Sequence, residues 1–140
     1  MTHQFGARFV LYSTVFGLIA APALPAFATD VVVSTPVTST QTIDGNDSLT
    51  VTESGSISTT GTLGVGIVAD GGANTITNSG TISTTGYASD GIAASGGTNT
   101  ITNSGTISTT GAAGVGIVAS GGTNTITNSG MNRPGNRGGS

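Results

Sequence analysis

Six carboxylates, Asp30, Asp44, Asp47, Glu53, Asp70 and Asp90, are the only charged side chains between residues 29 and 130. No Lys, Arg, His or Cys shares that stretch. Lone carboxylates can relay protons or hold hard cations, but hydrolysis and group transfer need a base paired with an acid, or an activated nucleophile. Asp70 and Asp90 fall at unlike positions in the repeat described below, so they form no evident pair, and no catalytic residue is expected. Calcium fares little better. Asp44-Gly45-Asn46-Asp47 offers oxygens at near-alternate positions, but Gly55 stands where a calcium loop of the helix-loop-helix kind needs Glu. Asp70-Gly71-Gly72-Ala73-Asn74 has the wrong order for a Gly-Gly-x-Gly-x-Asp calcium repeat. No metal and no cofactor is therefore expected, and a segment with acids and no cations repels phosphate backbones, which excludes nucleic acid as a partner.

Gly45-Asn46-Asp47-Ser48-Leu49 is similar to the Gly-Asp-Ser-Leu block of some exported esterases, but Asn46 interrupts it and no His follows. It reads better as a turn. The amide and hydroxyl side chains are more regular. Asn78, Asn103 and Asn128 recur at one repeat position, as do Asn74, Asn99 and Asn124. Stacked asparagines can hydrogen-bond along a β-structure and fix a corner, so both sets are expected to be structural. Thr50/Thr52, Thr75/Thr77, Thr100/Thr102 and Thr125/Thr127 are expected to point outward as Thr-x-Thr pairs on one face. Such a grid of hydroxyls and methyls would suit an ice surface. Exposed strand positions also favour Thr through β-propensity alone.

These residues are positioned by a repeat. Residues 74–86, NTITNSGTISTTG, return identically at 99–111, and the first half returns at 124–130, each copy offset by 25 residues. A fixed period of this size marks a stacked architecture. Within a copy, Thr75-Ile76-Thr77 and Thr81-Ile82-Ser83 alternate polar and apolar, and Gly91-Ile92-Ala93-Ala94 supplies a third strand candidate. Ser79-Gly80, Thr85-Gly86 and Gly96-Gly97 read as turns between them. The expectation is an all-β chain, a parallel β-helix of roughly four rungs. Three columns form its core: Val51, Ile76, Ile101 and Ile126; Ile57, Ile82 and Ile107; Ile67, Ile92 and Ile117. The first column rests on aligning Val51 to Ile57 with Ile76 to Ile82, which puts Glu53 in the Asn78 place. Val65, Asp90 and Val115 form a mixed column expected at an exposed corner, since a buried unpaired Asp costs several kcal/mol.

The flanks differ. Residues 1–28 read as a signal peptide. Arg8 gives the leading charge, and Ala26-Phe27-Ala28 is a small-x-small cleavage site, with Ala26 and Ala28 as its determinants. Its apolar run is broken by Ser13, Thr14, Gly17 and Pro22 and falls short of the ~20 residues a spanning helix needs. Residues 29–48 are expected to cap the stack, 49–130 to form the repeats, and 131–140 to be an irregular, truncated tail. A rung cut partway would leave an unpaired edge and a route to end-to-end self-association. Beyond the leader, Tyr87 is the only aromatic residue, so no platform for stacking sugars is evident.

Ile76-Thr77-Asn78-Ser79-Gly80-Thr81-Ile82-Ser83, its copy at 101–108 and Gly114-Val115-Gly116-Ile117-Val118-Ala119 resemble the passenger-domain repeats of bacterial autotransporters. The resemblance covers about residues 49–130. It implies a right-handed parallel β-helix, exported and shown at the cell surface or outer membrane, with roles in adhesion, as a stalk, or in contact with host or neighbouring-cell surface molecules. It also implies a C-terminal β-barrel, the passenger's link to the membrane. Nothing after Gly130 supplies its strands of ~10 residues each, so a secreted or periplasmic form is the other expectation for this polypeptide.

Overall fold

The computed structural model describes residues 28–135; residues 1–27, including Ala26 of the expected cleavage site, and residues 136–140 lie outside that range. Fourteen strands and no helix make up the described chain. The first turn comprises β1 (Asp30–Val33), β2 (Pro36–Val37) and β3 (Gln41–Asp44), and the second β4 (Ser48–Val51), β5 (Ser56–Thr60) and β6 (Val65–Asp70). The third comprises β7 (Thr75–Asn78), β8 (Thr81–Thr85) and β9 (Asp90–Ser95), and the fourth β10 (Thr98–Asn103), β11 (Thr106–Thr109) and β12 (Ile117–Ser120). A partial fifth turn follows with β13 (Thr123–Asn128) and β14 (Met131–Arg133). Every pairing is parallel and joins one turn to the next, giving three sheets that run the length of a β-solenoid: β1-β4-β7-β10-β13, β2-β5-β8-β11-β14 and β3-β6-β9-β12.

The turns are not all alike. Asp30 pairs with Ser48, 18 residues on, whereas Thr98 pairs with Thr123 in the regular part. The residues from 29 to 47 therefore build a short turn of their own, with strands in all three sheets. At the other end, Met131, Asn132 and Arg133 continue the second sheet against Thr106, Ile107 and Ser108, although their sequence leaves the repeat.

One expected alignment is overturned. Leu49, not Val51, pairs with Ile76, and Val51 pairs with Asn78. The reason is the corner after β4. It runs Thr52-Glu53-Ser54-Gly55, two residues longer than the Ser79-Gly80 corner that follows β7. The second sheet keeps the 25-residue offset, with Ile57 on Ile82, but the first sheet is shifted by two at this level. The first core column is thus Val31, Leu49, Ile76, Ile101 and Ile126. Glu53 lies in the longer corner and has no place in the asparagine column.

The other two columns stand as read: Ile57, Ile82 and Ile107 in the second sheet, and Ile67, Ile92 and Ile117 in the third. The bore is narrow because the third sheet faces the second with glycine. A Cβ on Gly66 would lie 2.6 Å from Ile82 Cγ2, and one on Gly91 2.4 Å from Ile107 Cγ2. Large residues on one wall thus fill the space left by none on the other, which is how so thin a core reaches close packing.

Burial is uneven along the axis. Ile67, Ile76, Ile82, Ile92, Ile101 and Ile107 are wholly enclosed, Ile117 is half-buried and Ile126 is 46% exposed, because among the described residues nothing stacks on β12 or β13. The same side chain should therefore matter very differently by level. Ile92→Ala is predicted to cost about 3 kcal/mol, the usual loss for an enclosed large-to-small change. Ile126→Ala should cost under about 1 kcal/mol, since part of the side chain already meets water. Urea midpoints of the two variants would decide it; equal losses would mean that the last turn is covered in solution.

Candidate functional site

Two arrays are candidates, one outside the first sheet and one inside it. The outer array follows from strand alternation: Thr98, Thr100 and Thr102 of β10 face away from the core and stand in register with Thr123, Thr125 and Thr127 of β13. Thr75 and Thr77 of β7 extend two of these files. The next level corrects the expected pairing. Ser48 and Thr50 of β4 stand beside Thr75 and Thr77, while Thr52 falls in the corner beyond the strand. Thr75, Thr100, Thr125 and Thr127 are exposed, and Thr50, Thr77 and Thr102 are half-buried. From β4 to β13 this face carries hydroxyls and no charge. At the first turn it changes, with Asp30 bonded to the Ser48 hydroxyl and Val32 exposed.

Inside the same sheet lie two files of asparagine. Asn78 Nδ2 donates to Asn103 Oδ1 at 2.7 Å, and Asn103 Nδ2 donates to Asn128 Oδ1 at 2.7 Å. In the second file Asn74 Nδ2 donates to Asn99 Oδ1 at 3.2 Å and Asn99 Nδ2 to Asn124 Oδ1 at 3.0 Å. Each of Asn74, Asn99 and Asn124 also donates to the carbonyl of the residue three before it, Gly71, Gly96 or Gly121, and so ties the corner to the sheet. Amides suit this place because each side chain is donor and acceptor together, and a chain of them satisfies itself in a dry interior. The first file starts at an unsatisfied atom. Val51 occupies the level before Asn78, and Asn78 Oδ1 is buried with no partner.

A third inward file, Thr59, Thr84 and Thr109, shows the same economy with one gap. Thr84 Oγ1 donates to Ser89 O at 3.0 Å and Thr109 Oγ1 to Arg133 O at 3.3 Å, but Thr59 Oγ1 is buried without a partner. Ser89 is a further enclosed polar residue that the repeat did not signal, because Gly64 and Gly114 hold its place in the neighbouring turns. Its hydroxyl donates to Gly61 O at 2.8 Å and accepts from Gly64 N at 3.2 Å, pinning two turns together. We predict that Thr59→Val is neutral or stabilising in thermal unfolding, since it removes an unpaired hydroxyl. Thr84→Val should cost about 1 kcal/mol, the net worth of a buried hydrogen bond. A larger loss at Thr59 than at Thr84 would contradict this.

The carboxylates are spent locally. Asp47 accepts from Thr29 N at 2.6 Å through Oδ1 and from Asp44 N at 3.3 Å through Oδ2. Asp70 Oδ1 accepts from the Ser95 hydroxyl at 2.8 Å. Asp90 begins β9 beside Val65, half-buried instead of at an open corner, and its Oδ1 accepts from Val115 N at 2.9 Å, which answers the cost of burial. The structure also brings Asp44 alongside Asp70, a juxtaposition hidden from the sequence because their offset is not the repeat's. Among the described residues no three Asp, Glu or His side chains converge on a point that could hold a metal ion. No helix among them is long and apolar enough to cross a membrane. Comparison with protein-family models, with the curated proteins and with solved structures returns no match, so it is the register itself that establishes a parallel β-solenoid of about four turns.

Proposed function

We propose that this chain is an exported, non-enzymatic passenger of an autotransporter-like surface protein, working as an adhesive or structural module. One observation carries the reading. The enclosed positions of every complete turn are filled by its own side chains, mainly Ile, Val, Ala, Asn and Thr, so what the solenoid presents is its outer faces, which on the first and second sheets are built largely of Ser and Thr. A solenoid of this kind recognises through an extended surface, one turn contributing one strip of it. The leader read in residues 1–28 supports export. The direct experiment is protease treatment of intact cells making the full chain. Loss of the protein without lysis supports surface display, and recovery only in the cytoplasm rejects the proposal.

A second reading is favoured by the in-register threonine files of β7, β10 and β13. Hydroxyls and methyls repeat there at ~4.8 Å between strands and ~6.6 Å along them, the lattice of a parallel sheet, and this could order water into an ice face. Purified protein that leaves ice-crystal shape and thermal hysteresis unchanged would reject it.

A further inference from the structure

Asn46 stands apart from every other asparagine in the chain. It is followed by Asp47 and Ser48, which makes Asn-Asp-Ser an acceptor sequence for N-linked glycan, with a hydroxyl two residues after the amide. The asparagines of the repeat are followed by Thr-Ile or Ser-Gly, and Asn132 and Asn136 by Arg-Pro and Arg-Gly, so none of them has a hydroxyl at that place. Structure separates them again. Asn74, Asn78, Asn99, Asn103 and Asn124 have Nδ2 engaged as a donor. Asn46 is exposed at the tight turn between β3 and β4, where Gly45 adopts φ +76°. Its Oδ1 accepts from Ala73 N at 3.0 Å, while Nδ2 donates to nothing among the described residues. The atom that a glycan would join is free, and the oxygen that holds the side chain in place would remain an amide carbonyl afterwards.

We propose that Asn46 is an N-glycosylation site, the acceptor for an oligosaccharyltransferase using a polyprenyl-diphosphate-linked oligosaccharide; the proposal rests on the export reading for its setting. Asn46 Nδ2 forms a bond to the anomeric carbon of the first sugar and loses one hydrogen. The bond from that carbon to the diphosphate oxygen breaks, and the departing polyprenyl diphosphate takes the proton. No redox partner is needed. Asp44, exposed two residues before the acceptor, adds a carboxylate that a basic acceptor groove can grip. Ser48 is half-buried with its hydroxyl on Asp30, a contact it must give up to serve the transferase. The turn joins β3 of the third sheet to β4 of the first, threonine-bearing sheet.

The test uses the purified full chain, a purified oligosaccharyltransferase and its lipid-linked donor, read by intact mass. The expected result is a mass increase of one glycan, mapped to the peptide holding Asn46. It should be lost in N46Q and in S48A and kept in the conservative variant S48T. Circular dichroism of each variant shows that it is folded. An unmodified wild-type chain, in a reaction that does modify a control acceptor peptide, overturns the proposal; so does a glycan that persists in N46Q. Modification of the urea-unfolded chain alone also overturns it, because the folded turn then fails to present the site. The reaction needs no export. Its failure and the failure of the surface reading, which cell fractionation tests, are therefore separate results.

Discussion

Gly97→Ala should unfold the solenoid or cost more than about 4 kcal/mol, a loss reserved for the few changes that break packing or backbone geometry outright. A Cβ at Gly97 would sit 1.8 Å from Gly72 O, on a residue whose φ is +52°. That oxygen is not free to move aside, since it accepts from Thr98 N at 2.6 Å. The obstacle is backbone in the turn below, so no side-chain rotation relieves it, and separating the turns would strip the parallel bonds on either side. Gly122 repeats the situation one turn on, with its added Cβ 1.7 Å from Gly97 O. Gly71→Ala is the matched control. Gly71 has φ +61° and open space where the Cβ would be, so only the left-handed backbone penalty of about 1–2 kcal/mol applies. A domain of this size has about 5–15 kcal/mol in total. The control should stay folded and the Gly97 variant should show little β signal by circular dichroism. Similar urea midpoints for the two would show that stacking of the glycine corners does not limit stability.

The second large effect is Asn103→Asp, and it should depend on pH. Asn103 is fully enclosed, accepting from Asn78 Nδ2 and donating to Asn128 Oδ1. A neutral carboxyl of the same shape can do both, taking the first bond on its carbonyl oxygen and giving the second through its O–H. An ionised one cannot donate, faces the Asn128 oxygen with like partial charge, and is desolvated. Its folded pKa is therefore raised above the unfolded value of about 3.9. The native state then binds the proton more tightly, so the penalty is absent below the unfolded pKa, grows as pH rises from there to the folded one, and levels off above it. At neutral pH a loss of about 3 kcal/mol or more is expected, and near pH 3 the variant should approach the parent measured at the same pH. Thermal melts across that range decide it. A deficit independent of pH would mean that the file is not the continuous chain of amides described here.

Much of this fold was legible because the third and fourth turns are copies. Ile76 over Ile101 and Ile82 over Ile107 needed only the period and strand alternation, and the asparagine files came from the same columns. The misalignment at Val51 has a physical cause. Leu49 and Val51 are both apolar and both inward, and the second turn has no asparagine to distinguish one place from the other. In later turns the inward order along the strand is Asn, Ile, Asn, as in Asn99, Ile101 and Asn103, so a slip by two would set amide against isoleucine and break both files. Register there is fixed by polar groups inside the core. Where those are missing, a corner longer by two residues left no mark. The short first turn was hidden for a related reason: a turn of 18 residues shares neither period nor motif with the rest. The face of the threonines was readable, while their level beside Ser48 and Thr50 needed the structure. Ser89 escaped because its role exists in one turn only.

Both asparagine files have a direction. Each of the four amide-to-amide bonds runs from Nδ2 of the earlier turn to Oδ1 of the later one. Their side-chain dipoles therefore add, each amide polarising the next. The first file begins in a bare oxygen at Asn78, whereas in the second Asn74 Oδ1 accepts from Asp47 N at 3.2 Å. Any further turn laid on the files, from this polypeptide or another, has to arrive oxygen first. Two solenoids meeting by their last turns would oppose nitrogen to nitrogen, so a two-fold dimer across that end is disfavoured, whereas the oxygen end of the first file lies beneath the second turn, where Val51 covers Asn78.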